Sequence, residues 1–311
     1  MKYDALAIGE LNVDLILSGM TRMPVPGQEI LAKGCSLTLG SSTAICASGI
    51  SRLGLKTGFV GKIGRDKFGD VVLENLKKNG IFVDNIIVDE NINTGITVSL
   101  SSASDRALVT YLGSIESLKL QDINMDLLKS TRHIHVGSFF LQNNLRPGLS
   151  KLFKSARELG VTTSLDSGWD DTGNWDYGIY DVLKYTDIFF PNEEEAPRIT
   201  KKDDLDEALD HLSQFCRISV IKCGPDGAIA KWGDKVYKQK PFDLKAVDKT
   251  GAGDSFNAGF IYAFLKELDI KDCMTYGNAC GSISITKLGG ASSCPSIDEV
   301  EQLIKSGKFI V

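Results

Sequence analysis

Two spacings of apolar residues alternate along this chain. Short runs such as Ala5–Gly9, Thr57–Gly61, Val83–Val88 and Asp187–Phe190 are rich in apolar residues, as in strands buried on both faces, and the short Thr162–Asp166 is read as a further strand. Between such runs apolar residues recur every three or four positions. Phe68, Val71, Val72 and Leu76 do so within Asp66–Asn79, which predicts an amphipathic helix stopped at Gly80. From Asp122 the alternation is strict: helix Asp122–Ser130 before strand His133–Gly137, helix Pro147–Leu159 before Thr162–Asp166, helix Tyr177–Lys184 before Asp187–Phe190. Repeats of this length build a parallel sheet covered by helices on both faces. Ligands of such sheets sit beyond the C-terminal ends of the strands.

Two stretches break the rhythm. Ile16–Leu39 holds Pro24, Pro26, Gly19, Gly27 and Gly34 among short alternating pieces, and Thr94–Ser101 and Ala107–Leu112 alternate in the same way across Ser102–Arg106. Paired, they form a small sheet that is discontinuous in sequence. It is read as a lid, about 16–39 and 94–112, on a single domain of residues 1–311. Elsewhere the turn Gly40-Ser41-Ser42-Thr43-Ala44 opens helix Ile45–Leu53. Strand Ser219–Lys222 leads through Cys223-Gly224-Pro225-Asp226-Gly227 into strands Ala228–Trp232 and Val236–Lys240. A helix rich in small residues, Met274–Thr286, a loop Leu288–Pro295 and a helix Ile297–Lys305 end the chain.

Composition narrows the class. The 311 residues are 42% hydrophobic and 24% charged, with a net charge of −5. A mildly acidic balance argues against general nucleic-acid binding, which needs clustered Lys and Arg. The seven cysteines include no C-x-x-C pair, so neither a zinc site nor a disulfide framework is indicated. His133 and His135 alternate with Ile134 and Val136, as in a strand. No apolar run approaches a membrane span and no signal-peptide core follows Met1, which gives a cytoplasmic expectation.

The chemistry concentrates in 247–260. Gly251-Ala252-Gly253-Asp254 precedes a helix marked by Phe256, Phe260, Ala263 and Phe264. The first turn of a helix leaves backbone N–H groups without acceptors, and with the helix dipole these suit an anion. A carboxylate at the edge of such a site accepts a proton from a hydroxyl. Amides for phosphate and a base for an alcohol suggest phosphoryl transfer; a plain helix cap is the competing reading. Three other polar groups fall near strand ends. Asn12 and Asp14 share one face of a strand, and Asp166 follows another. Asn192-Glu193-Glu194-Glu195 opens a helix, either as dipole-favoured capping or as a pair, Asn192 and Glu195, supporting hydrated Mg2+.

Asp248-x-Thr250-Gly251-Ala252-Gly253-Asp254-x-Phe256-x-Ala258-Gly259 resembles the C-terminal signature of the ribokinase-like (PfkB) carbohydrate kinases. Further matches follow the family's order: Gly9-x-x-Asn12-x-Asp14, Gly40 with Arg52-Leu53-Gly54, Gly61-x-x-Gly64-x-Asp66-x-x-Gly69, Asn192-x-x-Glu195, Gly224-x-x-Gly227, and Gly289 with Ser293 and Pro295. The resemblance implies a doubly wound, mostly parallel α/β core with a β-sheet lid, ATP as donor with Mg2+, and a small sugar as acceptor. It makes Asp254 the general base and Gly251, Ala252 and Gly253 the anion hole. Asn12, Asp14, Gly40 and Ser41 would meet the sugar. Lys222, Gly224, Gly227 and Asn278 would line the nucleotide, and Asn192 and Glu195 would support Mg2+ through water. Asp248, Thr250, Ser284, Lys287, Gly289 and Ser293 match a monovalent-cation site, such as one for K+. Lid sheets in this family often pair between subunits, which implies a homodimer.

The chain departs from the family at the sugar. Many members carry a Gly-Gly pair and then an Asn; here the second Gly is Ser41 and the Asn position is Ile45, which cannot hydrogen-bond a hydroxyl. Arg22, Lys33 and Arg106 are too scattered to grip a phosphorylated sugar, which favours an uncharged sugar or a nucleoside. A P-loop is excluded because Leu55 separates Gly54 from Lys56. A nicotinamide fingerprint is disfavoured because bulky Phe256 stands at the third glycine position. The remaining alternatives are a nucleoside kinase of the same fold and a catalytically silent sugar-binding regulator.

Overall fold

The computed structural model describes residues 1–102 and 106–308. The chain begins with β1 (Tyr3–Ile8), then β2 (Asn12–Met20), β3 (Gly34–Leu39), α1 (Ser42–Arg52), β4 (Thr57–Gly64), α2 (Lys67–Lys78), β5 (Phe82–Asp89), β6 (Gly95–Ser102) and β7 (Arg106–Tyr111). The αβ alternation follows: β8 (Thr131–Val136), α3 (Arg146–Glu158), β9 (Thr162–Leu165), α4 (Ile179–Leu183), β10 (Ile188–Phe189), α5 (Glu195–Thr200), α6 (Leu205–Leu212) and β11 (Ile218–Lys222). The hairpin β12 (Ala228–Trp232) and β13 (Lys235–Gln239) leads to α7 (Ala252–Leu265), α8 (Ile270–Ser284), α9 (Gly290–Ser293) and α10 (Ile297–Ser306).

Nine strands form the main sheet in the order β13-β12-β11-β10-β9-β8-β1-β4-β5, parallel except at the β11-β12-β13 edge. Helices cover both faces of its central strands, which are buried along most of their length. One layer packs Leu149, Leu152 and Phe153 of α3 with Leu209 and Leu212 of α6; the other packs Phe256, Phe260 and Ala263 of α7 with Met274 of α8. His133 and His135 lie wholly buried in β8, with Ser164 Oγ 2.8 Å from a ring nitrogen of each. Burial keeps both imidazoles neutral, pushed down to about 3 and about 4.

The two aberrant stretches do pair. A separate four-stranded sheet runs β3-β2-β6-β7, with β2 and β6 parallel. Its register sorts most side chains by polarity, because alternate residues face opposite ways. Val13, Leu15 and Leu17 align with Leu39, Leu37 and Cys35 on one side and with Ile96, Val98 and Leu100 on the other. Val109 and Tyr111 extend this apolar face through β7. The opposite face is mostly polar, carrying Asn12, Asp14, Thr38, Thr97, Ser99 and Thr110 beside Ile16 and Leu108.

Several local expectations are corrected. Asp122–Ser130 is not an α-helix but two 3-10 turns, Leu120–Asp122 and Met125–Ser130. Asp122 is drawn away by Lys62 Nζ at 2.9 Å and by the Lys119 amide, and a segment this short does not repay helix nucleation. Helix α6 lies where no helix is predicted, although its Asp204 cap and Leu205, Ala208, Leu209 and Leu212 carry the signature. Helix α8 begins four residues early because Asp269 caps it, and the 288–295 loop contains the short α9. Residues 103–105 of the turn placed at Ser102–Arg106, and the Arg106 side chain, lie outside the described residues.

Candidate active site

The parallel strands end along one edge, and α7 opens above it. Gly251 caps that helix with φ +73°, in the left-handed region that favours glycine. A Cβ there would also approach Gly290 Cα and Ile45 Cγ2 to 3.0 Å, so the turn has no room for a side chain. The Ala252 N–H leans back on the Lys249 carbonyl at 3.3 Å. Among the described residues, the amides of Gly253 and Asp254 meet no backbone acceptor. Of the expected anion ring, Ala252 is the member whose amide is engaged; among the described residues the amides of Gly251 and Gly253 meet no backbone acceptor, joined by the amide of Asp254 itself.

Asp254 stands in this first turn, and its Oδ1 accepts a hydrogen bond from Ser42 Oγ at the start of α1. Burial pushes its carboxyl up to about 7, and the Asp166 charge adds to the shift. The Ser42 hydrogen bond and the Lys222 ammonium oppose it. A carboxylate tuned this way is a stronger base than an exposed Asp and changes charge near neutrality.

The opening of α1 is held from beneath. Glu10, buried after β1, accepts from the Thr43 amide at 3.0 Å and from Thr43 Oγ1 at 2.5 Å. Burial raises its carboxyl above the usual range, and these bonds pull the other way. Ser41, with φ 70°, caps α1: its Oγ accepts from the Ala44 amide at 2.9 Å and donates to the Glu10 carbonyl at 2.7 Å. The hydroxyl expected to meet a sugar is thus committed to the cap, and Ser42 is the residue that faces Asp254. Asn12 Nδ2 donates to Asp14 Oδ1 at 3.1 Å, fixing both polar groups beside Gly40. A Cβ on Gly40 would fall 2.3 Å from that same Asp14 oxygen, so glycine is required for the close approach. Ile45 does not face this space. It packs beneath the anion turn, where a Cβ on Gly290 would come within 2.5 Å of its Cδ1.

Across the opening of α7 lies a cavity of about 560 Å³, whose walls include Lys222, Gly224, Gly227, Gly253, Phe256 and Asn278. That volume falls in the range of small-molecule and cofactor sites. Asn278 reaches from α8 to donate to the carbonyls of Gln239 and Lys240 at 3.2 and 3.3 Å, fixing the strand end that borders the cavity. Lys222 Nζ bonds Asp166 Oδ2 at 2.5 Å, and Asn257 Nδ2, three residues past Asp254, bonds the same oxygen at 2.8 Å.

Both readings of Asn192 and Glu195 meet here. Asn192 Oδ1 accepts from the amides of Glu194 and Glu195, and Glu195 Oε2 accepts from the Asn192 amide at 2.9 Å and from Ser167 Oγ at 2.8 Å, so the pair caps α5. Yet Glu195 is buried, and burial together with the Asp166 charge pushes its carboxyl up to about 7. Asp166, Glu195 and Asp254 share the field of one ammonium, Lys222, a charge balance that suits a hydrated divalent cation. Among the described residues no group of His, Cys, Asp and Glu is arranged to chelate a metal directly.

The six monovalent-cation positions are brought together only in part. Asp248 Oδ1 accepts from the Thr250 amide and hydroxyl at 2.9 and 2.7 Å, and Oδ2 accepts from the Gly289 amide at 3.0 Å, tying the two loops. Ser284 and Ser293 turn their hydroxyls back to the carbonyls of Gly281 and Gly290, and Lys287 pairs with Glu299 at 2.8 Å. Three side chains that hold the site, Glu10, Ser42 and Asn257, are not among the expected site residues, and Asp166 is expected only as a polar group at a strand end, with no role. Asn257 had a legible signal, its helical spacing from Asp254.

Comparison with known proteins bears on the whole chain. Residues 3–297 match the family model of pfkB family carbohydrate kinases. The chain is 30% identical over 324 residues to a 5-dehydro-2-deoxygluconokinase of Clostridium perfringens, covering 99% of this chain and 94% of that one. It is 32% identical over 253 residues to an uncharacterized sugar kinase of Archaeoglobus fulgidus, covering 80% of this chain and all of the other. Arabidopsis thaliana ribokinase, solved with ribose and ATP, superposes with a TM-score of 0.84 at 23% identity over 98% of this chain and 99% of its own. The fold is ribokinase-like, a large mostly parallel sheet flanked by helices with a smaller separate sheet. The chain belongs to the pfkB family of carbohydrate kinases, phosphotransferases that use an alcohol group as acceptor.

Proposed function

We propose that the protein transfers the γ-phosphoryl group of ATP to a hydroxyl of a small, unphosphorylated sugar. The observation that carries this is the opening of α7. There a carboxylate raised to about 7 stands beside amides with no backbone acceptor, at the rim of a cavity of about 560 Å³. Asp254 takes the acceptor proton as the acceptor oxygen bonds the γ-phosphorus. The bond from that phosphorus to the bridging oxygen breaks, and ADP keeps the electron pair. The amides of Gly253 and Asp254 and the Lys222 ammonium face the charge on the travelling group. Asn12 and Asp14 orient the acceptor, and Gly224, Gly227 and Asn278 border the nucleotide. Mg2+, held through water by Glu195 and Asn192, would neutralise the phosphates and relieve the surplus of carboxylates. A K+ ion among Asp248, Thr250, Ser284, Lys287, Gly289 and Ser293 would stiffen the loop that Asp248 already ties.

The small sheet serves as the lid of a single domain, its polar face turned to the acceptor. Its other face leaves Leu37, Val109 and Tyr111 41%, 62% and 53% exposed. An apolar sheet face of this kind is a surface for a second copy, and we infer a homodimer built through it. The seven free cysteines suit a reducing compartment, and we place the protein in the cytoplasm. Among the described residues no helix is long and apolar enough to cross a membrane.

ADP release from Mg·ATP over a panel of acceptors tests the reading. The 30%-identical relative puts a keto-deoxy sugar acid first, with ribose, fructose and nucleosides following. A sugar-dependent signal is expected; none with any acceptor would overturn the assignment.

A further inference from the structure

Asp166 follows the last residue of β9, Lys222 ends β11, and Asn257 lies one helical turn beyond Asp254 on α7. The topology brings these three elements to one point. Asp166 Oδ2 receives both the Lys222 ammonium, at 2.5 Å, and the Asn257 amide nitrogen, at 2.8 Å, while Oδ1 accepts from the Gly168 amide at 3.0 Å. The lysine and aspartate side chains are only 13% and 6% exposed. A Cβ built on Gly253 would lie 3.5 Å from Lys222 Nζ, so the ammonium rests against the opening of α7. Lys222 also lines the cavity.

A buried ion pair adds little stability over a well-packed apolar pair, so fold stability alone is a weak reason for one at the rim of a cavity. A long, flexible lysine placed near three carboxylates has several partners to choose from. Asp166 offers it one oxygen at a charge-assisted distance. Because a carboxylate only accepts, Asn257 must present its nitrogen, and this second bond pins the aspartate.

We propose that Asp166, pinned by Asn257, is a positioning residue for phosphoryl transfer: it parks the Lys222 ammonium at the opening of α7, where the travelling phosphoryl group must pass. The proposal rests on the phosphotransfer reading and adds a division of labour to it. Lys222 meets the phosphoryl group; Asp166 and Asn257 act on that group only through Lys222.

The same arrangement sets the field at the base. The charged and titratable groups that face Asp254 are Asp166 from the end of β9, Lys222 from β11, Glu10 from the end of β1, Cys46 from α1 and Cys294 just after α9. Glu195 and His135 reach it through Asp166 and Lys222. Replacing Asp166 removes a charge that favours the protonated base, and replacing Lys222 removes one that opposes it.

The test compares wild type, Asp166→Asn, Lys222→Met and the double variant with saturating Mg·ATP and the best acceptor. Each single variant is expected to lose roughly 10²- to 10³-fold in kcat, with acceptor KM within about threefold, as for loss of one preorganised electrostatic contact. The double variant is expected to be no slower than Lys222→Met alone, because residues acting as a unit are not additive. The acid limb of kcat/KM moves to lower pH in Asp166→Asn and to higher pH in Lys222→Met, opposite shifts that lost packing would not produce. If Asp166→Asn fails to fold, the double variant, which leaves no unpaired buried charge, decides against Lys222→Met. Equal kcat supports the proposal; a further tenfold loss overturns it. An active wild type with an indifferent Asp166→Asn, or with losses that multiply, overturns the proposal alone. A wild type that releases no ADP with any acceptor overturns the phosphotransfer reading beneath it.

Discussion

The two sides of the α7 opening are built differently. The side proposed for the nucleotide is a roomy cavity whose walls are mostly backbone turns and apolar side chains: Gly224, Gly227, Phe242, Phe256 and Gly281. The acceptor side is a tight polar weave in which nearly every group holds another: Asn12 on Asp14, Ser41 on Glu10, Ser42 on Asp254. A site that takes one shared donor needs only shape and a few anchors. A site that selects an acceptor needs oriented polar groups, because a hydroxyl is told from its absence by what is left unpaired. On the proposed reading, the difference puts specificity on the acceptor side and leaves the donor side tolerant of change.

Separating the two sides experimentally is direct. Asp14→Ala removes a carboxylate from the acceptor side and should lower kcat/KM for the sugar by roughly 10- to 100-fold, the worth of one or two charged hydrogen bonds, with KM for ATP unmoved. A parallel loss in ATP affinity would merge the two sides. Asn278→Ala should do the reverse. It frees the strand end at Gln239–Lys240 and should raise KM for ATP by about three- to tenfold while leaving acceptor KM alone.

The pH profile sharpens the acceptor side further. Asp254 works as a base only when deprotonated, and its carboxyl stands near 7. Sugar kcat/KM should therefore fall as pH drops below about 7 and level off above it. The limb is shared with Glu195, which titrates in the same range and feels the same Asp166 charge, so the apparent values belong to the pair. Ser42→Ala removes a hydrogen bond that favours the ionised base. It should move the limb upward and cost about two- to tenfold in kcat/KM. The smallest catalytic effect is expected from Val109→Lys on the outer face of the small sheet, which should halve the particle mass in light scattering and leave the chemistry near wild type.

The contrast between the sides also explains what was legible in the sequence. The parallel core was, because buried strands and amphipathic helices write different periods. The glycine turn that opens α7 was, because Gly251-Ala252-Gly253-Asp254 marks it in four adjacent residues. Even the small sheet's pairing could be read from two stretches of similar texture. The acceptor side was only half legible. Asn12 and Asp14 announced themselves by alternation, but Ser41 and Ser42 are adjacent hydroxyls that the local pattern cannot tell apart. A φ of 70° at Ser41 and a carboxylate 31 positions upstream decide which one caps the helix. Asp166, Lys222 and Asn257 lie on three separate elements, and only the folded sheet edge brings them together. The helix missed at 205–212 was a failure of another kind: its Asp204 cap and its apolar spacing were present and were not read.

Asp254→Asn tests the central claim most directly. The amide keeps the shape of the side chain and can still pair with Ser42, but it cannot take a proton. Calorimetry on the variant should find sugar and Mg·ATP bound within a few-fold of wild type, while kcat for phosphoryl transfer falls by about 10³-fold or more, as for loss of a general base in a preorganised site. A variant that binds both ligands and still turns over within tenfold of wild type would contradict the assignment of Asp254 as the base.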